Sequence, residues 1–480
     1  MQPTESRHAR SVALATILTA TFLTALNSSM VRVATPMMQE TFGTSYSWLT
    51  WVQNGYTLVY AVLMPVAGRL GDMYGRRRIF LFGVCVFTLG SILCTFTWSF
   101  ASLIVFRAIQ AIGSGAIFPN AVIMATSLYS PEERGRILGL WGAVGSVGSV
   151  IGPSLGGFLV EFLDWRSVFY VNIPIGILVF FAATARLKES ELKQKRPFDL
   201  AGASMFGLTV LSFLLALNIG NDFGWMGWQV WSLAAAGCLL TLIFVRQENR
   251  CTDPMIHLDL LTSKAFLVAV VCGMIHMYAG QTVGFLMPLF LVNIQGYGAA
   301  VMGLMLLPSA LVRVFVSPYS GSLSDKYGAR LPAGLGMCAL VVTFLLLARL
   351  HQTSSAWYIG VCLLLNGAGG GLMQSPVLNS VIGSRDSSES GVVSGLFNMT
   401  RFVGGMIGTA VAGIQVGDEM AASGAVMPGP ISGFYEAFMT ASVLAAIGFF
   451  VSRRLADPHT RAIPAPRATA EDASGVTGRI

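Results

Sequence analysis

Long apolar runs, each about as long as a bilayer is thick, alternate with short polar, basic or glycine-rich connections along almost the whole chain. A hydrocarbon core of about 30 Å needs roughly 20 apolar residues per helix. That window predicts fourteen spans, at 11–35, 47–67, 79–97, 101–125, 137–160, 166–185, 200–219, 229–246, 265–293, 300–322, 331–348, 356–382, 390–415 and 434–452. The connection Gly220–Gln229 leaves room for a re-entrant segment, and its Trp225 and Trp228 suit a membrane interface. The stretch after 455, rich in Pro, Ala and Thr, reads as a disordered tail.

Composition agrees with a polytopic all-α membrane protein. Hydrophobic residues make up 54% of the chain, charged residues only 11%, and the mean hydropathy is +0.67. Soluble proteins carry about 25% charged residues, so soluble globular, disordered and nucleic-acid-binding classes are excluded. The net charge of +7 is topological, because Lys and Arg collect on cytoplasmic loops. With the N-terminus inside, 24 of the 30 basic residues fall on the cytoplasmic side and only Arg166 and Arg349 outside. The remaining four, Arg32, Arg107, Arg313 and Arg401, lie within spans. Both termini are therefore expected in the cytoplasm, of a bacterial inner membrane. The seven cysteines form no C-x-x-C pair, which fits small apolar packing residues.

One segment recurs. Pro65, Gly68, Leu70, Asp72, Tyr74, Gly75 and Arg77 reappear as Pro318, Gly321, Leu323, Asp325, Tyr327, Gly328 and Arg330, at a constant offset of 253. Each copy closes one span and turns into the next on the cytoplasmic side. The chain thus divides into a six-helix half at 1–186, two inserted helices with their linkers at 187–264, a second half at 265–454 and the tail at 455–480. Parallel duplicated halves suggest a transporter with its site between them. Gly68 permits close helix approach and Gly75 a tight turn. Asp72 can take hydrogen bonds at a helix end or pair with an arginine. Such a cluster can latch the cytoplasmic side. The alternative is a plain topogenic turn anchored by Arg76, Arg77 and Arg78.

The Gly-x-Leu-x-Asp-x-x-Gly-Arg-Arg loop resembles the signature of the major facilitator superfamily. Three more segments carry the likeness: Arg107-x-x-Gln110-x-x-Gly113 on helix 4, Gly148-Ser-Val-Ile-Gly152-Pro153-Ser-Leu-Gly156-Gly157 on helix 5, and Asp164-Trp-Arg166 opening helix 6. With fourteen spans, the chain is similar to the drug:proton antiporters of the EmrB/QacA type. The resemblance implies a major facilitator fold, a small-molecule substrate, rocking alternating access, proton coupling in which Arg107 takes part, and function as a monomer without cofactor. Independently, Gly148, Gly152 and Gly156 share one helix stripe that allows close packing, and Pro153 should bend helix 5. Ordinary small-residue packing is the alternative.

The charges inside the spans carry the remaining chemistry. An arginine at a helix centre costs about 2.5–3.5 kcal/mol on insertion scales and calls for a function. Arg107 shares a face with Gln110, and Arg401 with Asn398. Arg313 stands mid-span, and Arg32 in the outer third of helix 1, where snorkelling is an alternative. All Asp and Glu fall in loops, tails or helix ends. Where the resembling family places an aspartate, this chain has Asn27, which cannot titrate. His276 is the one deep side chain that ordinarily titrates near neutral pH, and it is the candidate for proton coupling unless it is a packing residue. Further cavity candidates are Gln53, Asn54, Tyr56, Gln281, Asn366 and Gln374. There is no phosphate-binding loop and no zinc-protease motif, so neither an enzyme nor a metal site is expected. The expected function is outward secondary transport of a small amphipathic organic molecule by proton antiport. A carrier of organic anions, by uniport or symport, and a non-transporting sensor are the alternatives.

Overall fold

The computed structural model describes residues 7–44, 46–130, 133–189, 199–251, 256, 258–382, 390–422 and 432–455. The expected tail and the linker residues Lys193, Lys195 and Arg196 lie outside the described residues.

The apolar runs become helices because a helix satisfies its own backbone N–H and C=O groups, which hydrocarbon cannot. The first set comprises α1 (Arg7–Phe42), α2 (Tyr46–Tyr74), α3 (Arg76–Thr95), α4 (Phe100–Ser127), α5 (Arg134–Phe162), α6 (Ser167–Tyr170) and α7 (Asn172–Arg186). Next come α8 (Leu200–Phe223), α9 (Trp228–Glu248) and the short α10 (Leu258–Thr262). The second set comprises α11 (Lys264–Leu289), which runs on into a π-turn at Phe290–Ile294, then α12 (Ala299–Tyr327), α13 (Arg330–Leu347), α14 (Ala356–Ile382), α15 (Ser390–Ala422) and α16 (Ser432–Ser452). Among the described residues, eleven helices are long and apolar enough to cross a membrane.

Two details depart from a simple run of spans. The sixth breaks at Val171 into α6 and α7, because Pro174 has no N–H to offer the carbonyl four residues earlier. The connection between α8 and α9 shrinks to residues 224–227. Gly224 turns the chain there with φ 79°, a conformation that favours glycine. Four residues leave no room for a re-entrant segment, so that expectation is corrected. Trp228 starts α9 and is largely exposed.

Helix pairings in the first set return in the second. α1 packs on α5 as α11 packs on α15, α2 on α4 as α12 on α14, and α3 on α7 as α13 on α16. The two sets meet along α5 against α12 and α2 against α15. α8 rests beside the second of these seams, touching both α2 and α15, and α9 packs mainly on α8. The outer surface carries large exposed apolar side chains, among them Phe82, Phe158, Phe181, Phe315 and Phe450, as a protein solvated by lipid requires.

Candidate substrate cavity and its seal

The recurring motif sits at the seams between the sets. Asp72, at the end of α2, accepts hydrogen bonds from the backbone N–H groups of Gly391 (3.0 Å) and Val392 (3.2 Å) in the first turn of α15. Its counterpart Asp325, at the end of α12, accepts from the N–H groups of Gly135 and Arg136 (both 2.8 Å) in the first turn of α5. First-turn N–H groups have no partner within their own helix, and the positive end of the helix dipole favours a carboxylate. Each carboxylate therefore caps a helix of the opposite set. Arg76 also pairs with Asp72, at 2.8 Å from Nη2.

Glycines make this approach possible. A Cβ at Gly68 would collide with the Gly391 carbonyl, and one at Gly321 with the Gly135 carbonyl. One turn further along, Gly395 lies against Pro65 and Gly139 against Pro318. Ser375 of α14 adds a hydrogen bond to the Gly135 carbonyl, 2.7 Å. The backbones of both seams are in direct contact, which closes the protein at this end.

The other motif residues brace each turn within its own set. Gly75 adopts φ 103° and Gly328 φ 84°. Beside Gly75, the Glu189 carboxylate accepts from the N–H groups of Arg77 (3.0 Å) and Arg78 (3.2 Å) and so caps α3. Arg77 donates to the Thr184 carbonyl, 2.7 Å, and Arg330 to the Leu455 carbonyl, 2.9 Å.

Beyond the seal the sets part around a cavity of about 570 Å³. A Cβ at Gly145 or Gly280 would meet nothing within 4 Å. Tyr60, Phe118, Trp141 and Phe402 line the cavity and stack edge-to-face with one another. Of the residues singled out in the sequence, Arg32, Gln53, Tyr56, Gln281, Arg313, Asn366, Gln374, Asn398, Arg401 and Pro153 line it. Arg401 is buried and donates to Asn398 Oδ1 (3.1 Å) and Gln374 Oε1 (3.4 Å). Arg32 and Arg313 have no hydrogen-bond or ion-pair partner among the described residues. Among the described residues the lining holds three arginines and no carboxylate.

A second polar cluster lies behind the wall. Asn27, on α1, accepts from Asn172 Nδ2 (2.8 Å) and from Gln110 Nε2 (3.2 Å). Gln110 also donates to Ser91, 2.7 Å, and accepts from Arg107. Arg107 reaches the Val52 carbonyl at 3.2 Å and lies 4.1 Å above the Tyr56 ring, whose hydroxyl is 2.6 Å from Ser114. Asn27, Gln110, Arg107 and Asn172 are all buried, and no carboxylate faces Arg107 among the described residues. The buried Arg107 Nη2 has no hydrogen-bond partner.

Asn54 and His276 do not line the cavity. His276 is buried on α11, in the electrostatic reach of Arg401 and Arg313. Gly148, Gly152 and Gly156 press α5 onto Phe22, Ser29 and Met30 of α1, inside the first set, and Gly157 lies near Val33. The glycines of α5 that touch the other set are Gly135, Gly139 and Gly142, and sequence reasoning passed over Gly135 and Gly139. A signal for them exists: Glu133-x-Gly135-x-x-x-Gly139-Leu140 recurs as Glu389-x-Gly391-x-x-x-Gly395-Leu396, at an offset of 256. The aromatic lining was also missed, because aromatics within spans look like ordinary core.

A family profile described as Major Facilitator Superfamily matches residues 17–409. The chain belongs to that superfamily. It is a membrane transporter, and its relatives include proteins named for multidrug resistance and multidrug transport. The multidrug resistance protein Stp of Mycobacterium tuberculosis (strain CDC 1551 / Oshkosh) is 37% identical over 399 residues, 82% of this chain and 73% of its own. The multidrug transporter protein MdtP of Bacillus subtilis (strain 168) is 30% identical, over 84% of this chain and 75% of its own. Among solved structures, the human organic anion transporter MFSD10 matches with a TM-score of 0.69 at 18% identity, covering 92% of this chain and 99% of its own. At that identity the likeness concerns the fold alone.

Proposed function

We propose that this protein is a secondary exporter of small amphipathic organic molecules in the cell membrane. It works by rocking alternating access of two six-helix halves, with α8 and α9 inserted, as fourteen spans with both termini in the cytoplasm. One observation carries the reading. A cavity lined by both sets is closed at one end by two equivalent carboxylate-to-helix contacts, Asp72 on α15 and Asp325 on α5. If that end is the cytoplasmic one, as the basic residues around Arg76–Arg78 imply, the structure is the outward-open state. The relatives' names, multidrug resistance protein and multidrug transporter protein, support amphipathic organic cargo, as does a cavity that mixes aromatic rings with amides.

Proton antiport is the proposed coupling. Asn27 cannot carry the proton, which leaves His276 as the titratable candidate. The deciding experiment is flux of a panel of amphipathic compounds in proteoliposomes, with and without an imposed pH gradient. Gradient-driven accumulation of at least one compound supports the reading. Substrate flux without response to pH removes the antiport, and no flux of any compound removes the transport reading.

A further inference from the structure

The cavity has a charge balance that selects its cargo. Arg313 projects from α12 and lies flat on Gly370 of α14, where a Cβ would strike the guanidinium. Its Nε is buried without a hydrogen-bond partner, and none of its nitrogens is bonded to a described residue. One turn away on the same two helices, Ser309 donates to Asn366 Oδ1 at 3.2 Å. That bond turns the amide so that Asn366 Nδ2 is left buried and unpartnered, on a residue only 2% exposed. Two unpartnered buried donors thus belong to residues that line the cavity from α12 and α14. Arg401 lines the same cavity from α15 and Arg32 from α1, while no Asp or Glu lines it among the described residues. A buried donor without an acceptor is costly, and a buried guanidinium more so. Arginine and an amide N–H are the groups that bind sulfonates and carboxylates.

We propose that the substrates are amphipathic anions, with the anionic group held by Arg313 and Asn366 and the apolar body against Tyr60, Phe118 and Phe402. Arg401 supports the site and Arg32 attracts the anion to it. The proposal rests on the reading of this cavity as the transport site, and it narrows the cargo to one charge class. Family likeness to multidrug proteins does not require it, since the arginines stand in this chain's own cavity.

The test uses the purified full-length protein and three probes of shared skeleton: 8-anilinonaphthalene-1-sulfonate, neutral N-phenyl-1-naphthylamine, and the N,N,N-trimethyl-1-naphthylammonium cation. Binding is read by fluorescence and mutual displacement. The expected order is sulfonate tightest, by about tenfold over the neutral probe, the scale of one charge-assisted hydrogen bond, with the cation weakest. Arg313→Gln should erase most of that preference and leave the neutral probe nearly unchanged, while Arg313→Lys should keep part of it. Arg32→Gln should weaken the salt dependence of sulfonate binding. A wild type that binds the neutral or cationic probe as tightly as the sulfonate overturns the proposal whatever the variants do. So does an Arg313→Gln protein with an unaltered anion-to-neutral ratio. If none of the probes binds or displaces another, the cavity reading itself falls and the charge proposal with it. Displacement among all three without anion preference would leave that reading standing.

Discussion

Asp72 and Asp325, related by the 253-residue repeat, each cap the first turn of a helix in the opposite set, α15 and α5 respectively. The proposed latch is therefore a matched pair of carboxylate-to-backbone contacts. The ion pair between Arg76 and Asp72 lies within one set. Hydrogen bonds to a charged group contribute about 1.5–3 kcal/mol each. Asp72→Asn and Asp325→Asn should each cut flux at least about tenfold and shift the population toward the state open at the motif end. Cysteines placed at cavity positions, labelled with an impermeant reagent from each side, report that shift. Unchanged flux in both variants would remove the latch role, and a loss of folded protein would assign the aspartates to structure.

The glycine contacts make a sharper test, because they distinguish close approach from general flexibility. A methyl group at Gly135 or Gly391 would overlap backbone and the motif carboxylate of the opposite set, whereas one at Gly145 would meet open space. Gly135→Ala and Gly391→Ala should favour the state in which this end is open and lower flux severely. Gly145→Ala should transport at the wild-type rate. Equal effects of all three on flux would show that helix flexibility, not the seal, is what these glycines supply.

Asn27 stands in a buried network with Gln110, Asn172 and, through Gln110, Arg107. A carboxylate at this position would lie near an arginine that has none. Asn27→Asp should therefore fold, add a titratable group and give flux a pH dependence that the wild type lacks in the same range. A pH–rate profile identical to the wild type would mean that Arg107 and its network are insulated from the transport cycle.

His276 and the membrane potential separate two ways of driving export. If His276 carries the proton, His276→Gln should abolish accumulation driven by a pH gradient while counterflow exchange continues. An anionic cargo has another source of drive. Moving one charge across a membrane is worth about 2.3 kcal/mol per 100 mV, and an inside-negative potential favours anion exit. A potassium diffusion potential, negative in the compartment holding the sulfonate probe and imposed without a pH gradient, should speed its release. A rate insensitive to the potential would indicate electroneutral exchange.

Much of this protein can be read one residue at a time. Length and polarity of each run place the helices, because hydrocarbon imposes on every span the same local demand for apolar side chains and internal backbone bonding. Arg313 and Arg401 stand out within their spans for the same reason, and the repeat pairs Asp72 with Asp325 without any structure. The partners of those aspartates are another matter: Gly391 is 319 residues from Asp72, and Gly135 is 190 from Asp325. Such contacts depend on how whole helices dock. Rotation about the helix axis decides the rest. Spans that are apolar all round give little sign of which face meets lipid, a neighbour or a cavity. Hence Asn27, Arg107 and Gln110 form a network behind the wall, while Arg32, Arg313 and Asn366 face the space where a substrate would sit.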